Sequence, residues 1–224
     1  MIKAIIFDFD GVIVESVNVK TKAFSRIYRS YGKKIVGKVV AHHLAHGGVS
    51  RIEKFRLYHK EFIGVDLTEQ EEEQMAEKFS ELVFQKVIDA PYVKGAHEFL
   101  SEYHTLYDFF VSSGTPTEEI VKIVDMRKLS VFFKGIYGSP EQKDAHVREI
   151  MENNNYGKEE IVFVGDAPSD QEAAESNNIS FIARELDNLD FFNDNKKFIS
   201  IKDLTDLMVA VKAIDKEQID SFVR

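Results

Sequence analysis

The sequence predicts an α/β fold in which helices cover both faces of a parallel sheet. Short apolar runs that suit buried strands occur at residues 2–7, 106–111, 135–138, 161–165 and 179–183. Helical patterns of about a dozen residues separate the later runs, and this alternation is typical of a parallel sheet. Together these observations predict a Rossmann-like architecture.

The helices are predicted from apolar residues that recur on one face. After the first strand, Val19, Ala23 and Ile27 recur at four-residue spacing, which indicates a helix over 17–31. The further predicted elements are helices at 95–104, 117–129 and 141–154, an edge strand at 197–201 and a closing helix at 202–214.

The alternation is interrupted after the first strand by a long stretch of helical signals. Thr68 and Glu71 have the spacing of a capping box, and the acidic run beside them suits a helix N-terminus. Asp89-Ala90-Pro91 then breaks the helical pattern. We therefore expect two units: a Rossmann-like core of residues 1–14 and 91–224, and a small α-helical cap domain of residues 15–90.

The composition indicates a folded, acidic protein. The 224 residues are 44% hydrophobic and 30% charged, which is ordinary globular usage. With 29 basic and 38 acidic residues the net charge is -9, so we expect no binding to nucleic acid or to anionic membranes. The absence of cysteine excludes disulfides and cysteine-ligated zinc. No apolar run approaches the roughly 20 residues that span a bilayer, and no signal peptide is predicted, so the expected location is cytoplasmic.

Polar side chains follow the predicted strands where the strands end. These residues are Asp8 and Asp10 after the first strand, Ser112 after the second, Lys143 beyond the third, and Asp166 with Asp170 after the fourth. Because ligands bind beyond the carboxyl ends of parallel strands, we expect these groups to meet in one cleft. Carboxylates that meet there repel one another unless a cation lies between them, and oxygen ligands alone suit Mg²⁺. The sequence therefore predicts Mg²⁺ as a cofactor.

The four segments resemble the four motifs of the haloacid dehalogenase superfamily, in the same order and on the same elements. In this chain they read Asp8-Phe9-Asp10-Gly11-Val12, Ser112, Lys143 and Gly165-Asp166-Ala167-Pro168-Ser169-Asp170. One such motif is weak evidence, whereas four motifs in the family's order, each at the end of a predicted strand, are strong evidence. The helical insertion resembles the cap of the phosphoglycolate phosphatase and β-phosphoglucomutase-like group.

The resemblance implies the catalytic roles. Asp8 would be the nucleophile that forms an aspartyl-phosphate, and Asp10 would be the general acid/base. Lys143 would neutralise charge on the phosphoryl group and hold Asp8 ionised, with Lys134 as its alternative. Family members that dehalogenate lack an aspartate two residues after the nucleophile, so the presence of Asp10 favours phosphoryl transfer.

The resemblance also implies the phosphate and metal ligands. Ser112 and the amide of Ser113 would bind the phosphate oxygens, and the Ser113 hydroxyl is the alternative to that of Ser112. Mg²⁺ would be held by Asp8, by Asp166 and by the backbone carbonyl of Asp10. Asp170 would act on the metal indirectly, by orienting a metal-bound water or ligand.

The predicted cap contains a local basic loop in an otherwise acidic chain, Gly47-Gly48-Val49-Ser50-Arg51-Ile52-Glu53-Lys54. Gly48-Val49-Ser50-Arg51 resembles the substrate-facing loop of β-phosphoglucomutase-like caps, so Gly48, Arg51 and Lys54 are predicted substrate contacts. A guanidinium recognises phosphate or carboxylate at two points. The nearby His42, His43 and His46 lack the glutamate of a metal motif, so we interpret them as substrate-loop or solvated histidines.

The functional prediction is a Mg²⁺-dependent phosphatase that hydrolyses a small phosphorylated metabolite through Asp8. A phosphomutase of the β-phosphoglucomutase type would use the same residues and stays open as an alternative. A phospho-receiver module joins the same residue types, but its phosphoaspartate lies on a middle strand and it has no inserted cap. A non-catalytic binding protein is disfavoured because no catalytic position is lost. The sequence predicts neither the particular substrate nor the oligomeric state.

Overall fold

A computed structural model describes residues 1–186 and 198–222 of the chain. In this part of the chain, six parallel strands form one sheet in the order β3-β2-β1-β4-β5-β6. The strands are β1 (Ala4–Phe7), β2 (Asp108–Pro116), β3 (Phe133–Ser139), β4 (Ile161–Gly165), β5 (Ser180–Arg184) and β6 (Ile199–Ile201). The predicted parallel α/β architecture is confirmed.

Helices connect these strands, and a last helix follows β6. They are α1 (Val17–Ile27), α2 (Lys33–Ala45), α3 (Arg51–Tyr58), α4 (Glu69–Ile88), α5 (Ala96–Tyr103), α6 (Thr117–Met126), α7 (Lys143–Asn154), α8 (Pro168–Ser176) and α9 (Leu207–Phe222). The predicted helix over 17–31 divides, because α1 ends at Ile27 and a 3₁₀ turn follows. The predicted closing helix corresponds to α9, and the predicted edge strand corresponds to β6, with residue 197 outside the described residues.

Strand β1 lies in the middle of the sheet and is buried on both faces. Ile5 and Phe7 belong to a core cluster that also contains side chains of α5, α6 and α9. Ala4 and Ile6 belong to a second cluster formed with α7 and α8. Successive side chains of a strand point to opposite faces, so an all-apolar strand is what a sheet covered on both sides requires.

Strand β2 extends further than predicted. The apolar run at 106–111 indicated a strand that ends before Ser112, but β2 continues to Pro116. Pairing with β3 explains the extension, since Ser112 lies opposite Tyr137 and Pro116 opposite Ser139. At the other end Leu106 is 70% exposed and lies in a turn. Partners from β3 thus override the local hydrophobic pattern.

The helices α1–α4, which we call the cap helices, pack around their own aromatic cluster. Phe24 contacts Phe55, Tyr58 and Phe79, with ring centroids 4.7–5.8 Å apart. The predicted capping box of Thr68 starts α4 as expected. The chain enters and leaves the cap helices at adjacent points, because the Glu15 amide donates to the Pro91 carbonyl at 2.9 Å. The division into core and cap domains stays a prediction, and the adjacent entry and exit of the chain at Glu15 and Pro91 support it.

Among the described residues, no helix combines the length and the apolar character needed to cross a membrane.

Candidate active site

Asp8 lies directly after β1 at the carboxyl edge of the sheet and is 3% exposed. Its backbone amide donates to the Val164 carbonyl at 2.9 Å, which continues the β1–β4 pairing and fixes the residue. Oδ1 accepts from the Phe9 amide at 2.7 Å and lies 3.1 Å from Lys143 Nζ. The carboxylate is therefore held in one orientation before any substrate arrives.

Three buried carboxylates meet at this edge. Asp8, Asp166 and Asp170 each offer an oxygen, and these oxygens lie within 4.8 Å of one another. Burial and the adjacent Asp8 and Asp170 carboxylates raise the pKa of Asp166 well above its usual range. Lys143 is within ion-pair distance of Asp8 and Asp170 only, so the cluster carries a net negative charge when all three carboxylates are ionised. An all-oxygen donor set with that charge fits a divalent cation such as Mg²⁺.

Lys143 begins α7 and joins two of the carboxylates. Its Nζ lies 2.6 Å from Asp170 Oδ1 in addition to its contact with Asp8. Burial would lower the pKa of Lys143, but the charges of Asp170 and Asp8 outweigh burial and raise it. Lys134, the alternative considered from the sequence, lies elsewhere and pairs with Asp108 at 2.9 Å.

Asp170 is oriented by the backbone as well as by Lys143. Its Oδ2 accepts from the amides of Asp166 and Ala167 at 3.2 and 3.1 Å. Gly165 makes this possible, because a Cβ there would lie 2.2 Å from the Cβ of Asp170. Gly11 has a comparable role: its φ is +88°, and a Cβ would lie 2.2 Å from Asp166 Oδ2. The glycines of two predicted motifs thus let the acidic residues approach one another.

Asp10 does not belong to the cluster of three carboxylates. Its side chain accepts hydrogen bonds from Ser16 Oγ and Lys20 Nζ, each at 2.5 Å. Lys20 Nζ also donates to Thr115 Oγ1 at 2.8 Å. Burial would raise the pKa of Asp10, but the charge and hydrogen bond of Lys20 bring it below its usual range. The carboxylate of Asp10 is therefore separate from the metal set, which leaves its backbone carbonyl as the predicted ligand.

Lys20 and Thr115 were not identified from the sequence. Lys20 lines the cleft together with Val17 and Phe24 of the same helix. A lysine at this spacing between two apolar residues lies on the buried face of an amphipathic helix, and that was the available signal. Thr115 carried no such signal.

The hydroxyls of the two predicted phosphate-binding serines have partners within the protein. The Ser112 hydroxyl is hydrogen-bonded to His146 Nδ1 at 2.9 Å, and burial lowers the pKa of His146 to about 4. The Ser113 hydroxyl accepts from the Thr115 amide at 3.1 Å. Of this segment, Gly114 and Thr115 line the cavity, whereas neither serine does. The Ser112 hydroxyl thus has a structural partner that the sequence did not indicate.

The turn at Gly47 and Gly48, which we call the cap loop, lies against Ser169 and Lys143. Gly48 has a φ of +74°, and a Cβ there would lie 2.1 Å from Ser169 Oγ and 3.0 Å from Lys143 Nζ. A Cβ on Gly114 would lie 2.1 Å from the Gly48 carbonyl oxygen. The two glycines therefore allow the cap loop and strand β2 to approach closely above Lys143.

Arg51 and Lys54 both line the cavity but have different partners. Arg51 donates to Ser80 Oγ and Glu119 Oε1, each at 2.6 Å, and its guanidinium lies 4.8 Å from the ring of Phe79. Lys54 lies 3.1 Å from His43 Nδ1. Glu119, which lies on α6, was not predicted from the sequence as a partner of Arg51, and it joins α6 to the cap helix α3.

The three histidines of the cap do not converge on one point. His42 stacks on His46, with ring centroids 3.9 Å apart, and is hydrogen-bonded to Tyr58. His43 is buried beside Lys54 and contacts the ring of Phe24. His43 is therefore the histidine that belongs to the cleft.

Comparisons with known proteins agree with this site. Residues 5–184 match the family described as haloacid dehalogenase-like hydrolase. A phosphoglycolate phosphatase from Pseudomonas savastanoi pv. phaseolicola is 26% identical over 188 residues, which are 81% of this chain and 68% of that protein. The β-phosphoglucomutase from Clostridium difficile has the same fold, with a TM-score of 0.77, 18% identity and 100% of both chains covered. A haloacid dehalogenase-like hydrolase from Streptococcus pneumoniae has a TM-score of 0.68 at 20% identity, covering 93% of this chain and 98% of that one.

The family match includes the segments that carry Asp8, Asp10, Lys143, Asp166 and Asp170. It confirms the resemblance found in the sequence, and the chain is an enzyme of the haloacid dehalogenase-like hydrolase family.

Proposed function

We propose that the protein is a Mg²⁺-dependent phosphatase that hydrolyses a small phosphorylated metabolite through an aspartyl-phosphate on Asp8. The observation that carries the proposal is the placement of Asp8. Its carboxylate is held by Phe9 and Lys143 at the centre of the buried acidic cluster, while the separate carboxylate of Asp10 lines the same cavity. A nucleophile and a separate acid/base in one cleft are what two-step phosphate hydrolysis requires.

In the first step an oxygen of Asp8 would form a bond to phosphorus while the bond from phosphorus to the ester oxygen breaks. Asp10 would give a proton to the departing alkoxide, which leaves as the alcohol. In the second step water would attack phosphorus, Asp10 would take a proton from that water, and the bond to Asp8 would break. Inorganic phosphate is then released and both aspartates return to their starting states.

Lys20 would control the proton on Asp10. In the structure its ammonium contacts both Asp10 and Thr115, which favours the ionised form of Asp10. An incoming phosphate dianion would compete for this ammonium. When Lys20 turns toward the phosphate, Asp10 loses its counter-charge and can hold the proton that the leaving group needs.

Mg²⁺ would be held by Asp8, Asp166 and Asp170 or their bound water, with the backbone carbonyl of Asp10 as a further ligand. When bound, it would supply a Lewis acid that reduces repulsion between the nucleophile and the phosphate oxygens. Lys143 would add a positive charge on the side of Asp8 and Asp170. Gly114 and Thr115 line the cavity, and we propose them as candidates for the phosphate-oxygen contacts first assigned to Ser112 and Ser113.

The test is phosphate release from a panel of monophosphates with Mg²⁺. We expect turnover without any sugar bisphosphate, and we expect Asp8→Asn to lower kcat more than about 1,000-fold because the nucleophile is lost. Asp66→Asn removes an exposed carboxylate of the cap and serves as the control. Substantial phosphate release by Asp8→Asn would refute the role of Asp8. Isomerisation that depends on a sugar bisphosphate, without net phosphate release, would establish the phosphomutase alternative.

A further inference from the structure

Lys54 is a buried cation with no carboxylate partner. Its side chain is 2% exposed, and among the residues that the structure describes no carboxylate lies within ion-pair distance of Nζ. The other cations that line the cavity are paired: Lys20 with Asp10 and Arg51 with Glu119. Because a buried charge is costly unless it is compensated, an uncompensated one in a binding cleft indicates a charge that the ligand supplies.

The neighbour of Lys54 is a second donor. His43 Nδ1 lies 3.1 Å from Lys54 Nζ, and an ammonium can only donate, so Nδ1 is the acceptor. The proton of the neutral ring is then on Nε2, which is buried and has no hydrogen-bond partner. Burial and the charges of Lys54 and Lys20 lower the pKa of His43 to about 2, so the ring stays neutral. Lys54 and His43 together offer an ammonium without a carboxylate partner and an N–H donor without an acceptor.

The rest of the cavity restricts the size and character of the ligand. Apolar walls are supplied by Val17, Phe24, Leu44 and Phe79. The cavity volume is about 60 Å³, and a water needs roughly 10–15 Å³ by the same measure. In this arrangement of cap and core, a cavity of that volume favours a short substrate over one with a nucleobase or a hexose ring beside the phosphate.

We propose that Lys54 and His43 form a subsite for a carboxylate, so that the substrate is the phosphate monoester of a two- or three-carbon hydroxy acid. The proposal rests on the proposed phosphatase function and adds the chemical class of the leaving group. One cation and one neutral donor match the single negative charge of a carboxylate. A second phosphate dianion would need a further free cation, but Arg51 is paired with Glu119, and Lys20 would be taken by the phosphate that is transferred.

The test compares phosphoglycolate with its neutral isostere phosphoglycolamide. We expect the wild-type kcat/KM to favour the carboxylate by at least about 100-fold, since losing one partner of a buried charge pair costs that much or more. Lys54→Met should reduce this preference to within about threefold. Lys22→Met, the same change at an exposed cap lysine outside the cavity, should leave the preference intact.

A binding measurement separates the subsite from turnover. Calorimetry on Asp8→Asn should show phosphoglycolate binding that weakens at least about 30-fold when Lys54→Met is added, with little change for phosphoglycolamide. Equal affinity for the two ligands would overturn the proposal, and tighter binding of ethylene glycol bisphosphate would assign the subsite to phosphate instead. Hydrolysis of neutral esters without a carboxylate preference would reject the subsite and leave the phosphatase standing. Selective binding without any hydrolysis would support the subsite and reject the phosphatase.

Discussion

Lys54 shows how one side chain can serve function at the expense of stability. Burial, together with the charges of Lys20 and Lys143, lowers the pKa of Lys54 to about 7, although the nearby Glu53 opposes the shift. His43 adds no charge because its ring is neutral at physiological pH. The ammonium is thus poised to titrate near neutrality, and both ligand binding and folding should depend on it.

The first prediction concerns pH and substrate preference. As pH rises through about 7, Lys54 loses its proton in the free enzyme, so the attraction for a substrate carboxylate falls. The ratio of kcat/KM for phosphoglycolate to that for phosphoglycolamide should fall toward tenfold per pH unit above this pKa. The ratio isolates Lys54, because groups that affect both substrates equally cancel. In Lys54→Met the ratio should not vary with pH, and a constant wild-type ratio would contradict the prediction.

The second prediction concerns stability. Lys54 binds its proton less tightly in the folded state, so the unfolded state holds more protons between about pH 7 and the usual lysine pKa. The contribution of Lys54 to the free energy of unfolding therefore rises with pH across that window. Below about pH 7, Lys54 is charged in both the folded and the unfolded state, so the folded protein bears the full cost of the buried charge. At pH 6, Lys54→Met should increase the free energy of unfolding by about 1–4 kcal/mol in urea denaturation.

The control for this stability measurement is again Lys22→Met, which should stay within about 0.5 kcal/mol of wild type because the side chain is exposed. A destabilised Lys54→Met would mean that the ammonium has a compensating partner in the free protein.

At the level of elements, the contact between α3 and α6 joins the cap helices to the core. Arg51 begins α3, and Glu119 lies in the first turn of α6. Their side chains are 4% and 12% exposed, and Ser80 of α4 donates to the second oxygen of Glu119 at 2.6 Å. Arg51, predicted as a substrate contact, therefore also forms a buried ion pair that joins α3 to α6.

The third prediction follows from this bridge. Glu119→Gln leaves the Arg51 guanidinium buried without a counter-charge, so the free energy of unfolding should fall by about 3 kcal/mol. Thermal unfolding checks this, with Glu118→Gln as the matched control at the adjacent exposed position. If Arg51 instead binds substrate freely, Glu119→Gln should cost no more stability than the control and should improve the affinity for anionic substrates.

The elements themselves were mostly predictable because hydrophobic period and turn residues are local signals. The capping box at Thr68 and the helix that begins at Lys143 agree closely with the sequence pattern. Strand β2 was predicted too short, since its polar half is stabilised by pairing with β3 rather than by its own apolar residues. The hydrophobic pattern of one strand contains no information about the strand with which it pairs.

At the scale of the whole molecule, the buried oxygens of Asp8, Asp166 and Asp170 form a donor set that fits a divalent cation. The fourth prediction is that millimolar Mg²⁺ raises the thermal unfolding temperature, because a ligand that binds only the folded state stabilises by about 2.7 kcal/mol at 100 times its Kd. A chelator should abolish both this shift and phosphate release. Asp166→Asn should lose the shift, whereas Asp66→Asn should retain it. Hydrolysis that is indifferent to chelation would contradict the assignment of the acidic cluster.

The sequence by itself determined the parallel sheet, the helical insertion, the family and the convergence of Asp8, Lys143, Asp166 and Asp170. These follow from the order of strands and from the rule that strand ends meet at one edge of a parallel sheet. Only the tertiary structure decided which polar groups pair with one another: Ser112 with His146, Arg51 with Glu119, Lys20 with Asp10, and Lys54 with His43. The physical reason is that a side chain's electrostatics depend on distances of about 3 Å to groups on other elements, and sequence spacing does not contain those distances.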